Sequence, residues 1–222
     1  MAMKNYFKIT YAHKPYTGYP KELVDYLIRR FMPFLWLYKS KPKILDLGCG
    51  RGEYLEKFES FGWKAEGFDR SLPENIKLHN IVKIGDLERP LPYRKNTFDL
   101  VFCKSVIEHQ YYPEKLISEI YRILKPGGKI LILTPDIESI KFIFWTDFTH
   151  RSPFTLSSLK DILQINNFKI LTCEKFIQLP YVWGHPARKI VCWIAKFFYT
   201  QNTKNKLIKF SKEKMLLAIG QK

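Results

Sequence analysis

Two short stretches of the chain gather side chains that can move protons. Glu108 and His109 are adjacent, and Trp145-Thr-Asp-Phe-Thr-His-Arg151 offers Asp147, His150 and Arg151 close together. Histidine titrates near neutral pH and a carboxylate can orient it, so these residue types suit general acid–base work on a bound substrate. A third stretch, Lys43-Ile-Leu-Asp-Leu-Gly-Cys-Gly-Arg-Gly-Glu53, suits binding. An apolar strand there runs into a glycine-rich turn, where Gly48, Gly50 and Gly52 let the backbone approach a ligand that any Cβ would meet. The spacing is G-x-G-x-G and lacks the third glycine of the dinucleotide fingerprint, so the rest of the chain has to decide what is bound.

The elements that must position these groups follow in order. Ile44, Leu45 and Leu47 read as a buried parallel strand with Asp46 near its end. A second strand, Lys64 to Asp69, also ends in an acid, and a carboxylate there can accept bonds from both hydroxyls of a ribose. Ile81 to Asp86, Asn96 to Cys103 and Gly127 to Thr134 read as further strands, with a helix over Glu114 to Leu124. Such alternation predicts an α/β fold whose ligand lies at the carboxyl ends of parallel strands.

With these motifs in place, residues 40 to 178 resemble the class I S-adenosylmethionine-dependent methyltransferases, the broad group that includes ubiquinone-biosynthesis O-methyltransferases and many small-molecule and glycan enzymes. Ile44-Leu-Asp-Leu-Gly-Cys-Gly50 matches the first motif of that family, Gly67-Phe-Asp-Arg70 its ribose motif and Gly85-Asp86-Leu87 its adenine motif. Ile107-Glu-His109 and Arg122-Ile-Leu-Lys-Pro-Gly-Gly128 match the segments after the fourth strand and before the fifth. The resemblance implies a Rossmann-like sheet of seven strands, mostly parallel with an antiparallel edge strand, and helices on both faces. It places Thr172–Leu179 and Met215–Gly220 in the closing antiparallel pair.

It also implies S-adenosyl-L-methionine as cofactor. Asp46, Gly48, Cys49 and Gly50 would shape the methionine end, Asp69 with Arg70 the ribose, Asp86 with Leu87 the adenine, and Lys104 would lie beside them. His150, His109 and Asp147 are the expected catalytic residues, with Arg151 also on the acceptor side. His109 could instead pack as a helix-start residue, and His150 could anchor its loop. Some ubiquinone-type relatives hold a divalent ion with a Glu three residues before the Glu-His pair. Ser105 stands there, so no metal is expected. The Asn/Asp-Pro-Pro-Tyr/Phe turn of adenine N-methylation and the Pro-Cys of cytosine C5 chemistry are absent after the fourth strand. The expected reaction is O-methylation of a small molecule, sugar or lipid-linked intermediate, and the alternatives are RNA methylation or a catalytically silent binding protein.

Composition, 46% hydrophobic over 222 residues, fits one such domain over residues 41 to 222, preceded by a lid or helical segment over residues 1 to 40. Tyr11, Lys14, Tyr16 and Tyr19 belong to that segment, followed by an amphipathic helix over Lys21 to Tyr38 with Leu23, Leu27, Phe31 and Leu35 on one stripe. Four cysteines without C-x-x-C spacing favour a reduced, cytoplasmic setting, and no signal peptide is indicated. The formal charge of +16 is concentrated at the flanks: residues 1 to 45 carry +7, residues 186 to 222 carry +8 and the middle only +1. An anionic partner is expected there, either RNA or a membrane surface. A basic, aromatic helical insertion at about 186–210 contains Ile190 to Tyr199, too short to span a bilayer. It reads either as a buried helix or as an interfacial one, placing the protein at the inner face of a membrane.

Overall fold

Strand β1 (Lys43–Leu47) is apolar on both faces because it is central. Its odd and even residues feed different cores: Ile44 joins one apolar cluster, and Leu45 and Leu47 join the other. The same alternation runs through the other central strands, the mark of a sheet covered on both sides. The computed structural model describes residues 17–33, 35, 41–72, 81–200 and 203–222.

In chain order the elements are α1 (Tyr19–Phe31), β1, α2 (Glu53–Ser60), β2 (Lys64–Asp69), β3 (Val82–Ile84), β4 (Phe98–Lys104), a 3-10 turn at Ile107–His109 and α3 (Pro113–Ile123). Then come β5 (Leu124–Pro135), α4 (Ile137–Ile140), a 3-10 stretch at Lys141–Thr146, α5 (Leu156–Ile165) and β6 (Lys169–Phe176). The connection to β7 (Met215–Gln221) holds α6 (Pro180–Trp183), α7 (Lys189–Ala195), a 3-10 turn at Lys196–Phe198 and α8 (Lys206–Lys212). The sheet order is β3-β2-β1-β4-β5-β7-β6, with β7 antiparallel to both neighbours and the pairs from β3 to β5 parallel. The expected seven-stranded fold is therefore present, and the reversed strand lies one place in from the edge.

Several boundaries differ from expectation. The first helix ends at Phe31, not Tyr38, because Met32 leaves helical geometry at the C-cap. β6 begins at Lys169 and stops at Phe176, three residues earlier at each end than anticipated, and β3 keeps only three residues. In β6 only Phe176 is buried, which left little periodicity to read. The aromatic insertion is a chain of short helices rather than one. Tyr11, Lys14 and Tyr16 lie outside the described residues. Tyr19 donates a hydrogen bond to Gln178 Oε1 (3.0 Å) and lies against Trp183, so α1 packs on the segment after β6.

The strand order reverses between β1 and β4, and the turn that leaves β1 there is tightly constrained. Gly48 has φ +75°, and a Cβ on it would sit 2.2 Å from Val106 Cγ2. Gly48→Ala should therefore cost at least about 2 kcal/mol, combining left-handed strain with steric overlap. Denaturant unfolding of Gly48→Ala beside Gly48→Ala/Val106→Ala checks this, since trimming Val106 should recover only the steric share.

Candidate active site

At the reversal point a cleft of about 570 Å³ opens along the carboxyl ends of the strands. Gly48, Cys49, Gly50, Asp69, Arg70, Leu87 and Lys104 line one part of it, and His109, Asp147, His150 and Arg151 another. The two groups anticipated for cofactor and acceptor therefore share one cavity. Asp46 and Asp86 are not in its lining. Asp46 is buried beneath, and Asp86 is exposed beyond, tied to the cleft through Arg70 Nη2 at 3.3 Å.

The cofactor part is built by the glycine turn. The Gly48 amide donates to the Phe68 carbonyl (2.7 Å), which pins the turn to the neighbouring strand. The Gly50 amide donates to Asp69 Oδ2 (2.8 Å) and the Ser71 amide to Asp69 Oδ1 (3.3 Å). A carboxylate offers about four lone-pair sites, so Asp69 retains capacity for hydroxyl donors. Burial nevertheless raises its carboxyl above the usual range, against the pull of these amides and of Arg70.

Asp46 is more extreme. Burial, and then the charge of Asp69, push it well above the usual carboxylate range, while Lys104 pulls the other way. Its Oδ2 is buried without a hydrogen-bond partner, as is Arg70 Nε. Buried polar atoms are normally satisfied, so unpaired ones beside a cavity fit a ligand carrying both a cation and acceptors. S-adenosylmethionine has that composition: a sulfonium, an ammonium, a carboxylate and a ribose diol.

The part of the cleft around His109 and His150 joins residues far apart in sequence. The Glu108 carbonyl accepts from the amides of Arg151 (2.7 Å) and Ser152 (3.0 Å), and Ser152 Oγ donates to the Gln110 carbonyl (2.8 Å). These bonds bring the His109 and His150 rings to a centroid distance of 4.8 Å. Thr149 Oγ1 donates to Asp147 Oδ1 (2.6 Å), which commits its proton, so His109 Nδ1 donates to Thr149 Oγ1 (2.9 Å). His150 Nδ1 donates to the Phe144 carbonyl (2.6 Å). With Nδ1 so engaged, the neutral form of either ring carries its lone pair on Nε2.

Electrostatics sorts the roles. Burial first, then the neighbouring His150 ring, lowers His109 to about 4, so it is neutral at physiological pH. Burial alone would raise Asp147, but the Thr149 hydroxyl and amide and the two histidines hold it below its usual range. Its Oδ2 lies 3.9 Å from His150 Nε2. Glu108 is fully buried: Oε2 accepts from Thr134 Oγ1 (2.9 Å), and Oε1 has no partner. One ligand atom from each of Glu108, His109 and His150 lies within 4.8 Å of the others. The expectation of no metal considered the neighbours of Ser105 only, whereas the fold supplies His150 to the same cluster.

Sequence reasoning missed Thr149, Thr134, Gln110 and the Phe144 carbonyl. Thr149 stood inside the quoted stretch, but a hydroxyl that orients an imidazole carries no spacing signal, and a backbone acceptor carries no residue type.

Two measurements follow. Asp69→Ala should weaken S-adenosylmethionine binding at least tenfold, since charge-assisted bonds are worth roughly 1.5–3 kcal/mol each, and unchanged affinity by calorimetry would remove Asp69 from the site. Burial raises Glu108 from 4.5 to about 7. A raised carboxyl supports the folded state fully below its unfolded pKa, and that support is lost as pH rises through about 7. Glu108→Gln should accordingly match the wild-type melting temperature near pH 5 and exceed it by roughly 3 °C or more at pH 8. Identical pH profiles for the two proteins would refute this.

Comparison with known proteins accords with this geometry. The family model described as a methyltransferase domain matches residues 20–173. The mitochondrial ubiquinone biosynthesis O-methyltransferase of Mus musculus is 34% identical over 168 residues, 64% of this chain and 45% of that enzyme. The norajmaline N-methyltransferase of Rauvolfia serpentina is 36% identical over 122 residues, 46% of this chain and 41% of that enzyme. The matched stretch thus spans less than half the length of either. A crystal structure of an S-adenosylmethionine-dependent methyltransferase from Archaeoglobus fulgidus superposes with a TM-score of 0.63 at 21% identity, over 98% of this chain and 99% of that one, and so shares the fold. Its motifs, sheet order and family match together make this chain a member of the class I S-adenosylmethionine-dependent methyltransferase family.

Proposed function

We propose that the protein transfers a methyl group to an oxygen atom of a small-molecule, sugar or lipid-linked acceptor, with His150 as the base. The observation that carries this reading is the orientation of His150: Nδ1 is held by a carbonyl, and Nε2 is left beside the carboxylate of Asp147. Bound S-adenosylmethionine supplies a methyl group on a positively charged sulfur, which leaves as a neutral thioether. The protein aligns acceptor and donor in one cavity and takes the proton that a hydroxyl must lose. His150 Nε2 receives that proton, and the Asp147 charge stabilises the imidazolium. His109 is neutral and held by Thr149, so it positions the acceptor through its own Nε2 lone pair. Asp46 and Asp69 offer negative charge and acceptors on the cofactor side, and Arg70 ties that side to Gln110 of the turn after β4 (3.5 Å).

In the same reading α1 braces the cleft from behind, since its buried face packs with α2, the helix that begins at the end of the glycine turn. The excess positive charge of the flanks favours one second reading, methylation of RNA held by its phosphates.

His150→Ala should lower turnover about a hundredfold while cofactor affinity changes little, which single-turnover methyl transfer and calorimetry would separate. Equal losses of binding and rate would place His150 in the cofactor pocket instead. Prolonged dialysis against a chelator should leave turnover unchanged. Activity lost on chelation and restored by zinc or manganese would make Glu108, His109 and His150 a metal site.

A further inference from the structure

The segment from Lys189 to Phe198 turns its apolar side chains the wrong way for a core. Cys192 and Ala195 face inward, at 2% and 8% exposure, whereas Ile190, Trp193, Ile194, Phe197 and Phe198 are 66%, 58%, 50%, 69% and 68% exposed. Trp193 and Phe197 meet edge to face at 5.5 Å, which leaves their outer surfaces to solvent. Aromatic side chains of this size present together on the order of several hundred Å² of apolar surface, more than scattered exposure on a soluble protein requires.

Cations are interleaved with these side chains. Lys196 Nζ lies 5.4 Å from the Trp193 ring centroid and 5.1 Å from that of Phe197, and Lys189, Lys204 and Lys206 are exposed nearby in the chain. From residue 186 to the last residue Glu213 is the one acid in the sequence, and it is engaged by the Tyr199 hydroxyl (2.8 Å) and Lys209 (3.8 Å). Aromatic and apolar residues outward, lysines around them and no free acid together form a surface complementary to an anionic lipid bilayer. No helix among the described residues is long and apolar enough to cross a membrane, so the fitting geometry is one lying in the interface.

Topology adds an orientation. Phe176, Met215 and Pro135 are paired across β6, β7 and β5, so the insertion emerges from the sheet edge that also sends the Asp147–His150 loop into the cleft. We propose that Ile190, Trp193, Ile194, Phe197 and Phe198 form a docking face for anionic membrane, which sets the cleft edge at the bilayer. This narrows the acceptor to an amphipathic or lipid-linked molecule drawn from that surface. The acceptor class rests on the methyl-transfer reading above, but the docking face does not.

Flotation of the full chain with vesicles tests it. Binding to phosphatidylcholine vesicles containing about one-third phosphatidylglycerol should exceed binding to pure phosphatidylcholine at least tenfold, and should fall as salt rises from about 50 to about 300 mM. Trp193→Ser/Phe197→Ser should lose at least tenfold in binding while keeping its melting temperature and cofactor affinity. Lys189→Glu/Lys196→Glu provides a second probe that leaves the apolar groups in place, and should lose binding to the anionic vesicles alone. A wild type that ignores anionic vesicles overturns the proposal, whether it binds RNA instead or dimerises through this face in sedimentation. Unfolding of the serine variant together with normal vesicle binding by the glutamate variant also overturns it, because the run would then be packing. A chain that binds vesicles yet transfers no methyl group would sink the proposed function and leave the docking face standing. An active chain that ignores vesicles would do the reverse.

Discussion

Asp46 and Asp69 occupy the carboxyl ends of neighbouring parallel strands, and the site is arranged around the cost of burying them. Isolated charge is expensive in a medium of low polarity, and two carboxyls on adjacent strands aggravate one another. The Gly50 amide of the glycine turn and the Ser71 amide after β2 answer part of that cost by donating to Asp69, and nothing among the described residues does the same for Asp46 Oδ2. Local satisfaction is thus incomplete where a cationic ligand is expected. The stability that tolerates it comes from elsewhere, in two apolar clusters on opposite faces of the sheet.

The half of the cleft that holds the two histidines depends on a different constraint. The connections after β4 and β5 hold only short helical turns, yet the amides of Arg151 and Ser152 bind the Glu108 carbonyl and make the two one unit. Thr149 and the Phe144 carbonyl then engage Nδ1 of His109 and of His150 and leave Nε2 of each ring as the free nitrogen. A base is useful only with its lone pair outward, so these neutral partners matter as much as the titrating groups. Glu108 stands at the centre of the unit, held by Thr134 on one oxygen and unpaired on the other.

Charge and apolar exposure separate the rest of the surface from this core. The segment between β6 and β7 buries Trp183 and Val182 against α1, then exposes a row of large side chains only a few residues further on. One connection therefore anchors α1 and displays an apolar face. The change occurs where the chain passes from α6 to α7.

Much of this was legible in the sequence. Apolar runs ending in Asp46 and Asp69, glycines at a strand end and alternating helices specify a doubly wound sheet, because local steric and hydrophobic rules act over a few residues. The motif residues of the cofactor half lie on those same strand ends, so most could be named without coordinates. Asp86 shows the limit, since it carries the motif yet stands outside the cleft. What only the tertiary structure decided was contact between segments distant in the chain: His150 beside His109, Thr149 as the bond that orients it, and Trp193 facing out rather than in. Residues forty positions apart meet through backbone hydrogen bonds, which any residue type can form, and an apolar run looks the same whether it faces a core or a membrane. Sequence carries residue type and local period, whereas direction and long-range partnership exist only once the chain has folded.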